Sequence, residues 1–132
     1  MAAKPVASHL TVNILSRDMS RRMGLQMKAL CVAPGSSLDH DRTMVYIFGD
    51  VAEKLTEDQQ IADMRYILGH AVAHEVGHVL LNAANHSGSG IMQSIWQEKD
   101  FRAMTMGKLK FGSQEVIRIQ AEVLRRNKSQ NR

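Results

Sequence analysis

Four of the six histidines fall within residues 70–86, and two of them frame a carboxylate in His74-Glu75-Val76-Gly77-His78. On a helix, residues four apart lie about 40° apart around the axis and about 6 Å along it. Two imidazoles so placed can converge on one metal ion, at about 2.0–2.1 Å each for zinc. Glu75 follows the first ligand and projects beside the ion, where it reaches a bound water rather than the metal. The chemistry this suits is metal-assisted hydrolysis. The ion brings the pKa of its water towards about 7 and polarises a carbonyl, and the carboxylate takes the proton as general base.

A catalytic zinc site normally has three protein ligands and one open position. His86 is the evident third, in the Gly/Ser-rich stretch Asn82 to Gly90 that can turn back towards the helix. His70 lies on the same helix face one turn before His74. It stands about 12 Å of helix rise from His78, too far for all three to share one ion, and is expected to pack behind the ligands. His9 and His40 are distant in sequence and stay open as alternatives. Cys31 offers a thiolate, but Ala29-Leu30-Cys31-Val32 is an apolar setting in which Cys is normally a small buried hydrophobe. Without a metal, the same pattern would be a pair of packed or surface histidines.

The elements that must position these groups can be read in order. His9 to Leu15 and Gln26 to Val32 read as strands, with a short helical turn from Asp18 to Met23 between them. Pro34 to Asp41 is a loop. Thr43 to Phe48 (TMVYIF) is the strongest strand signal. Asp50 is placed to cap a short helix through Leu55. Thr56 and Gln59 match a capping box that opens the long helix. That helix carries Ile61, Met64, Ile67, Leu68, Val72, Val76, Val79 and Leu80 as its apolar stripe and ends near Leu81, with Asn82 left-handed. Gly69 and Gly77 each cost a helix roughly 1 kcal/mol against Ala, which implies a packing reason. Gln97 to Thr105 forms a short helix. Ser113 caps a last amphipathic helix to about Arg126, with Val116, Ile117, Ile119, Ala121, Val123 and Leu124 inward. The sum is a single α+β domain over residues 1–132, a small mixed sheet packed on the long helix and a C-terminal helix.

Composition narrows the function classes. At 44% apolar and 23% charged residues the chain is ordinary for a globular protein, and a single cysteine excludes an internal disulfide framework. No apolar run is long enough to span a membrane. The N-terminus lacks a signal-peptide core, which leaves the compartment open, since a leader is removable. The net charge of +4 is partly due to a basic C-terminal stretch ending in residues 127–132. That stretch reads as a solvated, frayed terminus. Without interleaved aromatics it has no stacking platform for bases.

From His74 to Met92 the sequence HEVGHVLLNAANHSGSGIM resembles the metzincin clan of zinc peptidases, with their H-E-x-x-H-x-x-G-x-x-H and a following Met-containing turn. It is closer to a group of small bacterial metzincin-like peptidases with a shortened core and the pattern H-x-x-x-H-E-x-G-H-x-L-L, then H-S and G-I-M. Those residues are His70, His74-Glu75, Gly77-His78, Leu80-Leu81, His86-Ser87 and Gly90-Ile91-Met92. The third histidine comes two residues later than in the clan pattern, and Leu81 stands where the clan has Gly. The resemblance implies a zincin fold, zinc ligands His74, His78 and His86, and Met92 as an apolar floor beneath them. It also implies an edge strand beside the cleft, for which Thr43 to Phe48 is the candidate, receiving an extended peptide. Metzincin domains usually begin with a strand and a long helix. Only strand-like segments precede residue 50, so that helix is expected to be missing, absent or lost by truncation.

The function expected is zinc-dependent endopeptidase activity on a peptide or protein substrate, with Glu75 passing the proton on to the leaving amine and Tyr46 or a backbone amide helping to hold the oxyanion. An alternative is a zinc-binding but inactive interaction domain, against which the presence of Glu75 argues. A small basic nucleic-acid binder is the remote third, lacking a recognition motif.

Overall fold

A computed structural model of the chain describes residues 10–22, 31–32, 44–83 and 85–130. Their elements run β1 (Thr11–Leu15), α1 (Arg17–Arg22), β2 (Cys31–Val32), β3 (Met44–Phe48), α2 (Gly49–Gln59), α3 (Met64–Leu81), α4 (Glu98–Thr105) and α5 (Ser113–Gln130). The class is α+β. Of the expected strand from Gln26, Cys31–Val32 is described; residues 23–30, and 33–43 with the expected loop Pro34 to Asp41, lie outside the described residues. The only helix described before the sheet is complete is the six-residue α1.

The sheet is mixed, with strand order β1-β3-β2. β1 runs parallel to β3, in register from Thr11↔Met44 to Leu15↔Phe48. β2 runs antiparallel to β3, pairing Cys31 with Ile47 and Val32 with Tyr46. β3 is therefore the central strand, which corrects its expected place at the edge. The reason lies in its own residues. Val45, Ile47 and Phe48 are fully buried, and a near-continuous apolar run suits a strand paired on both sides and covered on both faces. Among the described strands the edges are β1 and β2.

α3 lies between two apolar clusters. Ala71 and Val79 pack with Val45 and Ile47 of the sheet. Ile67 and Leu81 join Ala52, Ala62, Met92, Phe101, Met104 and Leu109. The helix is covered on more than one side, so burial does not follow the single expected stripe. Val72, Val76 and Leu80 are only half-buried, whereas Ala71, His74, Glu75, Gly77 and His78 are buried.

The start of α3 also differs from expectation. Thr56 lies inside α2 and its hydroxyl donates to the Ala52 carbonyl at 2.8 Å. Gln59 ends α2 and ties the turn after it: its side-chain oxygen accepts from the Ile61 and Ala62 amides at 2.7 and 3.1 Å. Gln60 takes the left-handed conformation, φ 52°. α3 then opens at Asp63, whose carboxylate accepts from the Arg65 amide at 2.9 Å. Asp is a better N-cap than a residue whose hydroxyl bonds back into its own helix. Asp50 stands in the first turn of α2, and Phe48 is the N-cap.

α5 continues to Gln130 rather than fraying near Arg126. Its inward positions are Glu115, Ile119, Glu122 and Arg126, while Val116, Ile117, Val123 and Leu124 are exposed. Polar partners turn it this way. Arg118 donates to the Leu81 carbonyl at 3.0 Å, and buried Arg126 donates to Glu122 at 3.0 Å. The bonds from Arg125 and Arg126 hold the Glu122 carboxyl below its ordinary range, against the opposing effect of burial. Among the described residues no helix is long and apolar enough to cross a membrane.

Candidate metal centre

The site is built on the last two turns of α3 and the segment that follows. Asn82 takes the left-handed conformation (φ 47°, ψ 45°). The Asn82 amide donates to the Val79 carbonyl and the Ala83 amide to that of His78, both at 3.3 Å. This is the Schellman arrangement, and it ends the helix one residue beyond the place of the clan's Gly. The chain then loops through His86 and returns to the helix at Met92. Ser87 N donates to the Met92 carbonyl at 2.9 Å, and Ile91 N to that of Lys110 at 3.0 Å. Gly90 sits at φ 78°, where a Cβ would collide with the Lys110 carbonyl, so glycine is required there.

Three ring nitrogens converge. His78 Nε2 lies 3.1 Å from His74 Nε2 and 3.2 Å from His86 Nε2. The other nitrogens of the two helical histidines fix their tautomers. His74 Nδ1 donates to the Ile91 carbonyl at 2.7 Å, and His78 Nδ1 to the Ala83 carbonyl at 2.7 Å. A carbonyl only accepts, so Nδ1 carries the proton and Nε2 of each neutral ring presents a bare lone pair. Burial, its largest cause, pushes the His74 pKa down and favours that neutral form. Two lone pairs at 3.1 Å repel unless something electron-poor lies between them. A tetrahedral ion about 2.0–2.1 Å from each nitrogen would hold the nitrogens about 3.3 Å apart. The two separations from His78 are close to this, all three ligand atoms lie within 4.8 Å of one another, and the three histidines can hold a metal ion.

Glu75 is buried beside the cluster, with Oε1 3.8 Å from His74 Nε2. Met92 is almost fully buried and lies against α3 at Gly77, where a Cβ would come within 2.6 Å of its sulfur and 3.0 Å of Phe111 Cε1. Gly77 is thus small so that Met92 can underlie the helix between the two ligand positions. Gly69 has no such reason: a Cβ there meets nothing within 4 Å.

Of the sequence-derived residues, His74, His78 and His86 meet, with Glu75 and Met92 adjoining. His70 stands apart, its Nδ1 donating to the Tyr66 carbonyl at 2.7 Å. Tyr46 is held mid-sheet, paired with Asn13 and Val32. His9, His40 and the Cys31 side chain lie outside the described residues.

Several supporting residues were not evident from sequence. Trp96 stands edge-on to His74, ring centroids 5.9 Å apart, and its Nε1 donates to the Ile91 carbonyl at 3.3 Å. Gln93 donates to the Gly90 carbonyl and to Asp100 at 3.1 and 3.0 Å, which ties the Met92 turn to α4. Glu115 accepts from the Ser87 hydroxyl at 2.6 Å. The nearness of Trp96 to the G-I-M segment was the one available signal. The Glu115 contact, across 28 residues, leaves none.

No protein-family model, no curated protein and no solved structure matches this chain.

Proposed function

We propose that the protein is a zinc-dependent peptidase whose ligands are His74, His78 and His86 and whose general base is Glu75. The observation that carries this reading is the donor set. Two tautomer-locked imidazoles and a third aim Nε2 atoms at one point, with a buried carboxylate alongside. Three imidazole nitrogens gathered within 4.8 Å of one another are a donor set that suits zinc. When bound there, zinc acidifies water to a nucleophile near neutral pH and polarises the scissile carbonyl.

The chain's own residues do the rest. The Ile91 and Ala83 carbonyls orient the ligand rings and raise their basicity. Trp96 keeps the space beside His74 apolar, and Met92 packs under the helix at Gly77. Glu75 takes the proton from the attacking water and delivers it to the amine nitrogen as the C–N bond breaks. A carboxylate buried beside the ligands without joining them suits this proton traffic.

A second reading, a metal-binding interaction domain without hydrolase activity, draws on the exposed apolar face of α5, where Ile117 and Leu124 are 58% and 59% exposed. One experiment separates the two. Bound metal is measured by elemental analysis, and cleavage of unstructured casein is followed, for wild type and Glu75→Ala. The peptidase reading expects about one zinc in both and cleavage by wild type only. Zinc without cleavage favours the interaction domain, and folded wild type without zinc overturns both.

A further inference from the structure

The three ligands are not held alike. His74 and His78 ride on α3 with their Nδ1 atoms fastened to carbonyls. His86 is exposed, on a loop whose following residues are Ser87, Gly88, Ser89 and Gly90. Fixing a free backbone residue costs about 1–2 kcal/mol, so an untethered His86 would give up much of its bond to the metal in ordering the loop.

The tether is at the next residue. Ser87 N donates to the Met92 carbonyl, and Ser87 Oγ donates to Glu115 Oε2 at 2.6 Å, a length typical of charge-assisted bonds. The second oxygen, Oε1, accepts from Gly112 N at 2.7 Å, at the opening of α5. The same helix is fixed to the end of α3 by Arg118 on the Leu81 carbonyl and packs Ile119 against the core. A closed circuit therefore runs from α3 through α5 and Glu115 to Ser87, and so to His86.

We infer, on the basis of the metal-centre reading above, that Glu115 is a positioning residue for the third ligand, and that α5 sets the metal affinity through the Ser87–Glu115 bond. Glu115 does not touch the ion. It holds the loop so that His86 Nε2 stays in reach of His78 Nε2.

The test uses the full chain, freed of metal and titrated with Zn2+ against a chromophoric chelator. Ser87→Ala removes the hydroxyl and leaves the Glu115 bond to Gly112 in place. Its Zn2+ affinity should fall about 10–100-fold, as for other groups that orient a ligand, with the Tm of the metal-free protein unchanged. Ser87→Thr keeps the hydroxyl and should restore the affinity. On a His86→Ala background, Ser87→Ala should change nothing further. Equal affinity of Ser87→Ala and wild type, or the same loss with and without His86, overturns the latch while leaving the metal centre standing. A wild type that takes up no Zn2+ overturns both.

Discussion

Gly69 and Gly77 lie on the same helix, and sequence reasoning treats them alike. The structure assigns them opposite responses to alanine. Gly69 is exposed and an added methyl meets nothing within 4 Å, so Gly69→Ala should realise the full helix gain of about 1 kcal/mol. For a chain of this size that raises Tm by roughly 3–5 °C. At Gly77 the same gain is set against a methyl 2.6 Å from Met92 Sδ and 3.0 Å from Phe111 Cε1. Overpacking of this kind costs about 1–3 kcal/mol, so Gly77→Ala should lose roughly 1 kcal/mol net. Far-UV circular dichroism of the metal-free proteins during heating gives both values. Met92→Ala supplies the control. It carries its own cavity cost of about 2–5 kcal/mol, but it empties the space that the Gly77 methyl needs. The double variant should then be more stable than the two losses predict, by about 1 kcal/mol of coupling. A Gly77→Ala protein stabilised as much as Gly69→Ala, or strict additivity with Met92→Ala, would refute the account of Met92 seated on this glycine.

Other expectations concern the site. Glu75→Gln should keep its zinc and lose about 10²–10⁴-fold in casein cleavage, the usual contribution of a general base. His86→Ala should sharply weaken zinc binding and His70→Ala should not, as measured by chelator competition; the reverse result would overturn the assignment of the ligand set. In the metal-free protein, burial depresses the His74 pKa below its ordinary value of 6.5. The unfolded chain then takes the proton first, so this contribution is intact above pH 6.5 and is lost as pH falls through the window below it, seen as a falling Tm. Zn2+ affinity should drop over the same range, because protons compete for Nε2. Asn82→Gly should be near neutral in stability, while Asn82→Ala should cost roughly 1 kcal/mol, since only the latter puts an unsuited side chain in the left-handed region.

What the sequence made legible was local. The H-E-x-x-H spacing, the Asn82 turn and the short reach to His86 all lie within one helix and its exit, where spacing translates directly into geometry. The alternation and β-branching of Thr11–Leu15 and Met44–Phe48 likewise report strands through near neighbours. What was not legible depended on partners distant in the chain. Whether β3 is central is decided by what lies on either side of it. Which face of α5 turns inward is tied to Ser87 and the Leu81 carbonyl, which bond Glu115 and Arg118, rather than to its own apolar residues. The boundary between α2 and α3 was misplaced for a different reason: Thr56 and Asp63 both offer capping chemistry, and the winner depends on Gln59 binding the turn between them.

Relative to the H-E-x-x-H-x-x-G-x-x-H spacing that the segment resembles, the left-handed turn comes one residue later and the third histidine two residues later. With Leu81 still helical and buried, the left-handed residue moves to Asn82, and the chain leaves α3 one residue further along its axis. The extra length is put to use at once. Ala83 follows the turn, and its carbonyl takes the His78 Nδ1 proton, while the Ile91 carbonyl does the same for His74 on the return. The longer exit thus leaves all three histidines able to point Nε2 inward. Ring orientation, more than the count of residues between ligands, is what a metal requires of them, and a carbonyl on Nδ1 leaves Nε2 of His74 and His78 as the open lone pair. Beyond Ala83, which the His78 ring holds, the loop is tied to α5 by the bond from Ser87 to Glu115.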